Sequence, residues 1–288
     1  MSAKNNTFVY VFPTKQEHNH KRNADMIPMT SAREIETYME SLRNDGQRRV
    51  LMSFFKTGKG EYGEGDEFLG LRVPQTRQIV KMAAGTDLSE ISLLLNSKWH
   101  EVRLCGLLLL VDLFQAAAKR RLTDDEEAIR QRDSIVELYL RHSQQANNWD
   151  LVDLSAPKIL GHWLLLPTNM TAESHSSGDE RMLKQDIVDR LADSTNLWQQ
   201  RISMVCTWKT TQQGDASWCL RYAEKHLHHT HDLMQKAVGW MLREMGKRVS
   251  TDLLRDFLQQ HVATIPRTTL RYAIEKLSEE ERRHWMSA

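Results

Sequence analysis

From Ser31 onward, apolar residues return every three or four positions, the spacing of an amphipathic helix. No run alternates apolar and polar residues as a half-buried strand would. The pattern predicts helices over about 31–44, 46–56, 74–84, 87–96, 98–119, 124–143, 148–165, 180–192, 195–210, 215–227, 231–247, 250–263 and 266–277. Short links join most of them. Within this pattern, Gln200–Met204, Gln235–Gly239 and Leu270–Ile274 each set a cation ahead of small and apolar residues. Arg201, Lys236 and Arg271 thereby recur at a constant interval of 35 residues, and Val102–Gly106 carries Arg103 as a fourth copy. One helical pair of this length cannot bury its own apolar face and needs neighbours on both sides. The expected fold is therefore all-α, a curved superhelical solenoid of helical pairs with a concave surface. Residues 1–29 read as a tail and 30–288 as one domain.

Two stretches interrupt the pattern. Residues 57–73 hold Gly58, Gly60 and Gly63 at the spacing of a dinucleotide loop. The preceding Val50–Phe55 looks helical rather than a strand, no helix opens at the third glycine, and no Lys-Ser/Thr follows, so a crossover loop with positive-φ turns is expected instead. Residues 167–179 are polar and read as a mobile surface insertion.

Composition narrows the class. An apolar content of 40% with 27% charged residues is that of a globular chain, and no apolar run approaches the roughly 20 residues that span a bilayer. Cys105, Cys206 and Cys219, an odd number in helical contexts, argue against a disulfide framework and for a reducing compartment. A net charge of +1 leaves any basic surface to be local.

Candidate chemistry gathers in three helices. After the Asn147-Asn148 cap, Trp149 and Asp153 lie four residues apart on one helical face, and Pro157 forces a bend or restart behind them. Taken alone, the pair fits half-buried packing with a first-turn charge better than it fits a site. On 231–247, Val238, Met241, Leu242 and Met245 form one face, while Lys236, Trp240, Arg243 and Lys247 line the other. That suits a polyanion groove, or an indole shielded by aliphatic stems. Arg201 falls near the apolar arc of its helix and needs an anion, whether a neighbouring carboxylate or a phosphate held close to Asp153. The run His226–His231 offers metal-binding side chains without a clustered cysteine or carboxylate, and no metal site is expected from it.

Four segments in this order, Lys56–Asp66, Asn148–Asp153, Trp198–Arg201 and Lys236–Glu244, resemble the AlkD family of DNA alkylation repair glycosylases, over about Ser31 to Trp285. The resemblance implies HEAT-like helical pairs with a cationic concave face. It also implies hydrolysis of the N-glycosidic bond of cationic N3- and N7-alkylated purines in duplex DNA, without cofactor or metal. By the same resemblance Asp153 is the catalytic aspartate, Trp149 and Trp240 frame the lesion, Arg201 is the active-site arginine, and Arg243 lies near the DNA backbone. Lys236, Lys247, Arg103 and Arg271 complete the expected DNA contacts. A monomer in the cytoplasm is expected. The competing expectation is a helical-repeat scaffold that binds DNA or protein without chemistry.

Overall fold

A computed structural model describes residues 29–171 and 180–287. The expected tail, apart from Met29, and most of the expected insertion lie outside them. The chain forms α1 (Ala32–Ser41), α2 (Asp45–Phe54), α3 (Val73–Met82), α4 (Leu88–Leu95), α5 (His100–Ala117), α6 (Glu126–Arg141), α7 (Trp149–Ser155) and α8 (Leu160–Trp163). It continues with α9 (Glu180–Ala192), α10 (Leu197–Val205), α11 (Thr207–Gln212), α12 (Ser217–Lys225), α13 (Asp232–Arg248), α14 (Thr251–His261), α15 (Arg267–Ala273) and α16 (Glu279–Ser287). The fold is all-α, with no strand among the described residues. No helix there is long and apolar enough to cross a membrane.

Local chemistry explains most boundaries. Asn148, Asn196 and Ser250 each accept a backbone N–H in the first turn of α7, α10 and α14. The helix expected over 148–165 is two, because Pro157 ends α7 and the chain restarts as α8. The helix expected over 195–210 also divides, at Cys206, for a tertiary reason. α8 packs so closely that a Cβ on Gly161 would lie 2.2 Å from the Cys206 carbonyl oxygen. α16 was not anticipated, although Ser278 and Glu281 carry its start signal and make the reciprocal capping hydrogen bonds. Residues 167–171 are tied down rather than mobile: Asp133 accepts from the Thr168 hydroxyl at 2.6 Å and the Asn169 N–H at 2.7 Å.

The helices stack. α5, α7, α10, α13 and α15 pack in succession along one row, while α3, α4 and α6 cover α5, α9 covers α10, and α12 and α14 cover α13. The 35-residue interval places Arg201, Lys236 and Arg271 on α10, α13 and α15 of that row. Val238, Met241, Leu242 and Met245 are buried, as the periodicity of α13 requires. The α13–α15 crossing depends on Gly239, where a Cβ would meet the Thr269 carbonyl oxygen at 2.4 Å.

Candidate active site

A cleft of about 610 Å³ opens along the row of helices. α7 contributes Trp149 and Asp153, α10 Arg201, α13 Lys236, Trp240 and Arg243, and α15 Tyr272. From the N-terminal side come Phe54 of α2, Lys56 just ahead of the glycine-rich loop, and Tyr62 within it. Trp149, Asp153, Arg201 and Trp240, drawn from three helices, thus share one wall-to-wall space.

Asp153 and Arg201 form its centre. Nε and Nη2 of Arg201 donate to the two carboxylate oxygens at 3.0 and 2.9 Å, a bidentate pair, and Nη1 donates to the Leu233 carbonyl at 2.6 Å. Both side chains are largely withdrawn from solvent, at 6% and 11% exposure. Burial pushes the Asp153 carboxyl above the ordinary carboxylate range, with the Arg201 charge opposing that rise. Arg201 therefore meets its need for an anion within the protein. Three of its N–H groups are committed, and two remain for another acceptor in the cleft. Of the two partners left open for Arg201, a neighbouring carboxylate and a phosphate, the structure shows the carboxylate, Asp153.

The loop and a buried relay hold Trp149 in place. Its Nε1 donates to the Tyr62 hydroxyl at 3.3 Å, and its ring lies 5.4 Å from that of Phe55. Beneath, the wholly buried His100 bridges Asp66 through Nδ1 at 2.8 Å and Asp150 through Nε2 at 3.0 Å, with Phe68 stacked on the ring at 4.3 Å. Burial by itself would lower the His100 pKa; the Asp150 and Asp66 carboxylates outweigh it and hold the imidazolium up to about 9. Glu101 completes the frame, accepting from the backbone N–H groups of Leu69, Gly70 and Leu71 at 2.8, 2.8 and 3.0 Å.

The glycine-rich loop is thus a wall of the site. Its positive-φ positions are Gly60, Gly65 and Gly70 rather than Gly58 and Gly63. Gly63 is instead a close approach, where a Cβ would fall 2.4 Å from the Phe55 carbonyl oxygen.

Placement of the expected cations varies. Lys236 lines the cleft and pairs with Asp232 at 2.6 Å, partly exposed. Arg243 lines it too, bound to Glu275 and, at 3.3 Å, to Glu244. Lys247 and Arg271 are exposed but outside the cleft wall. Arg103 is a correction: it is buried at 5% exposure, donating to Asp66 and to the Ser97 and Lys98 carbonyls, so its repeat position serves the interior rather than DNA. The histidine run is likewise structural at its start. His226 meets the Ser203 hydroxyl at 2.9 Å, with burial lowering its pKa to about 4, and His229 meets the Gln200 side chain at 2.9 Å. Tyr62, Lys56, Phe54, His231 and Tyr272 were not assigned from sequence. Tyr62 alone carried a signal, as an aromatic ring set between the glycines and acids of residues 57–66.

With the site assembled, residues 35–277 match the family described as DNA alkylation repair enzyme. This chain belongs to that family. The solved structures include a similar fold, a "Predicted DNA alkylation repair enzyme from Enterococcus faecalis". It aligns with a TM-score of 0.56 and 16% identity over 82% of this chain and 97% of that one. At that identity the likeness is one of fold. No curated protein sequence matches the chain. Family membership supports a role in DNA repair.

Proposed function

We propose that the protein is a monofunctional DNA glycosylase that hydrolyses the N-glycosidic bond of cationic N3- and N7-alkylated purines in duplex DNA. The observation that carries this reading is Asp153, held bidentate by Arg201 in a cleft walled by Trp149 and Trp240. An alkylated purine already bears positive charge, so it departs without a general acid. As the C1′–N bond breaks, its electron pair goes to the base and neutralises it, and positive charge builds on the sugar. Arg201 occupies only two of the roughly four lone-pair sites of the Asp153 carboxylate, leaving the others for the sugar cation and for water. Burial has raised the proton affinity of this carboxyl, which makes it a better base towards the water that adds to C1′. The two indoles offer π-faces to the cationic nucleotide. Lys236 is the readiest phosphate contact, since its exposed pairing with Asp232 is worth no more than about 1 kcal/mol. Residues 30–288 act as one HEAT-like repeat domain in this reading, a monomer on double-stranded DNA in the cytoplasm, without metal or cofactor.

The test is release of free base. Incubation with duplexes carrying a single N7-methylguanine, followed by counting of abasic sites, should show excision. Asp153→Asn should lower the rate on the order of 10²- to 10⁴-fold with duplex binding nearly unchanged. Full excision by Asp153→Asn would end the mechanism, and binding without excision by the wild type would leave a scaffold.

A further inference from the structure

One titratable side chain in the cleft wall has no part in the chemistry above. His231 caps α13 and lines the cleft with Asp153, Arg201 and Lys236. Its Nδ1 accepts the Leu233 backbone N–H at 3.1 Å, so the ring proton sits on Nε2. Its own backbone N–H donates to Nδ1 of His229 at 3.0 Å, which fixes the backbone from the other side. Leu233, whose N–H donates to His231, offers the carbonyl of its next peptide group to Arg201. His231 and Arg201 therefore hold the backbone of the same residue, Leu233, from its two sides, and Arg201 in turn holds Asp153.

The surroundings keep this ring uncharged. Burial lowers its pKa first of all; Asp232 pulls the other way, and the Arg201 and Lys236 charges add to the lowering. The neutral ring is also the form the cap requires, because a protonated Nδ1 could not accept the Leu233 N–H. What remains is a neutral ring on a half-buried residue of the cleft wall, fixed in tautomer by the cap, with the Arg201 and Lys236 charges acting on it.

We propose that His231 is a further nucleic-acid contact, its Nε2–H donating to a non-bridging phosphate oxygen of the strand seated over Asp153. Lys236 and Arg201 draw the anion to this place, and the imidazole supplies a directed hydrogen bond without adding charge. The inference rests on the glycosylase reading for the position of the strand, though its test needs binding alone.

The experiment measures the affinity of the full chain for a fluorescein-labelled duplex containing one tetrahydrofuran abasic analogue, by anisotropy over a range of KCl concentrations. His231→Ser and His231→Asn both retain a side-chain oxygen that caps α13 and both lose the Nε2 donor. Each should weaken binding about tenfold, the scale of one hydrogen bond to a charged acceptor. The slope of log Kd against log salt should stay that of the wild type, because a neutral donor releases no counterion. Lys236→Gln should instead lower that slope by about one. Thermal unfolding identifies which of the two His231 variants is folded, and either one decides the matter. Binding within twofold of wild type overturns the proposal, and so does a slope lowered by about one, which would make the ring a cation. If the wild type binds the duplex but releases no methylpurine, the glycosylase reading falls and the His231 contact is judged on Kd alone. If it excises and the His231 variants bind normally, only the His231 contact falls.

Discussion

Arg201 and Asp153 show why one residue can serve stability and chemistry together. An exposed ion pair contributes at most about 1 kcal/mol, but removing one partner of a buried pair strands the other charge and costs about 3–5 kcal/mol. At 6% and 11% exposure this pair belongs to the second kind. Arg201→Gln is therefore expected to lose about 3 kcal/mol in urea unfolding and, in the same preparation, most of its excision activity. The two losses share a cause, since a carboxylate without its guanidinium is both costly to bury and free to turn. A variant that unfolded at the wild-type urea concentration would show that solvent reaches the pair. Arg103 is the counterpart: it occupies a repeat position like that of Arg201, yet its guanidinium is spent on Asp66 and two carbonyls. A shared position in a repeat fixes where a side chain starts, and the neighbours fix what it meets.

At the scale of elements, the site depends on how α5, α7 and the glycine-rich loop are clamped. His100, the first residue of α5, holds Asp66 of the loop on one side and Asp150 of α7 on the other. Its pKa is raised in the fold from 6.5 to about 9, so its stabilisation is complete below pH 6.5 and disappears as pH rises through about 9. Unfolding free energy should fall, on the order of 3 kcal/mol, between pH 6.5 and pH 9.5. His100→Gln should be less stable at pH 6 and should lack that fall. A wild-type urea midpoint independent of pH over this window would mean that His100 is neutral in the fold across it. The break between α10 and α11 is an element-scale effect of another kind, because the contact of Gly161 with the Cys206 carbonyl comes from a different helix.

Across the whole molecule, stability follows the row. α10 and α13 are flanked on both sides and covered from behind, whereas α2 has no buried residue. Hydrogen exchange followed by mass spectrometry should find the amides of α10 and α13 slowest and those of α2 fastest. The reverse order would mean that the row is not the stabilising core. The same architecture explains what could be read in advance. Helical period, caps, Pro157 and the 35-residue interval act within a few residues or within one repeat, so the sequence by itself determined an all-α stack and the faces on which Trp149, Asp153, Lys236 and Trp240 lie. Whether Arg201 met a phosphate or a carboxylate, whether Arg103 faced inward, and that Tyr62 and His231 reach the same cleft depended on residues 37 to 87 positions apart, or on another helix's backbone. Those outcomes were decided only by tertiary packing, because a charge takes whichever partner the fold brings within about 3 Å, and spacing along the chain does not encode that distance.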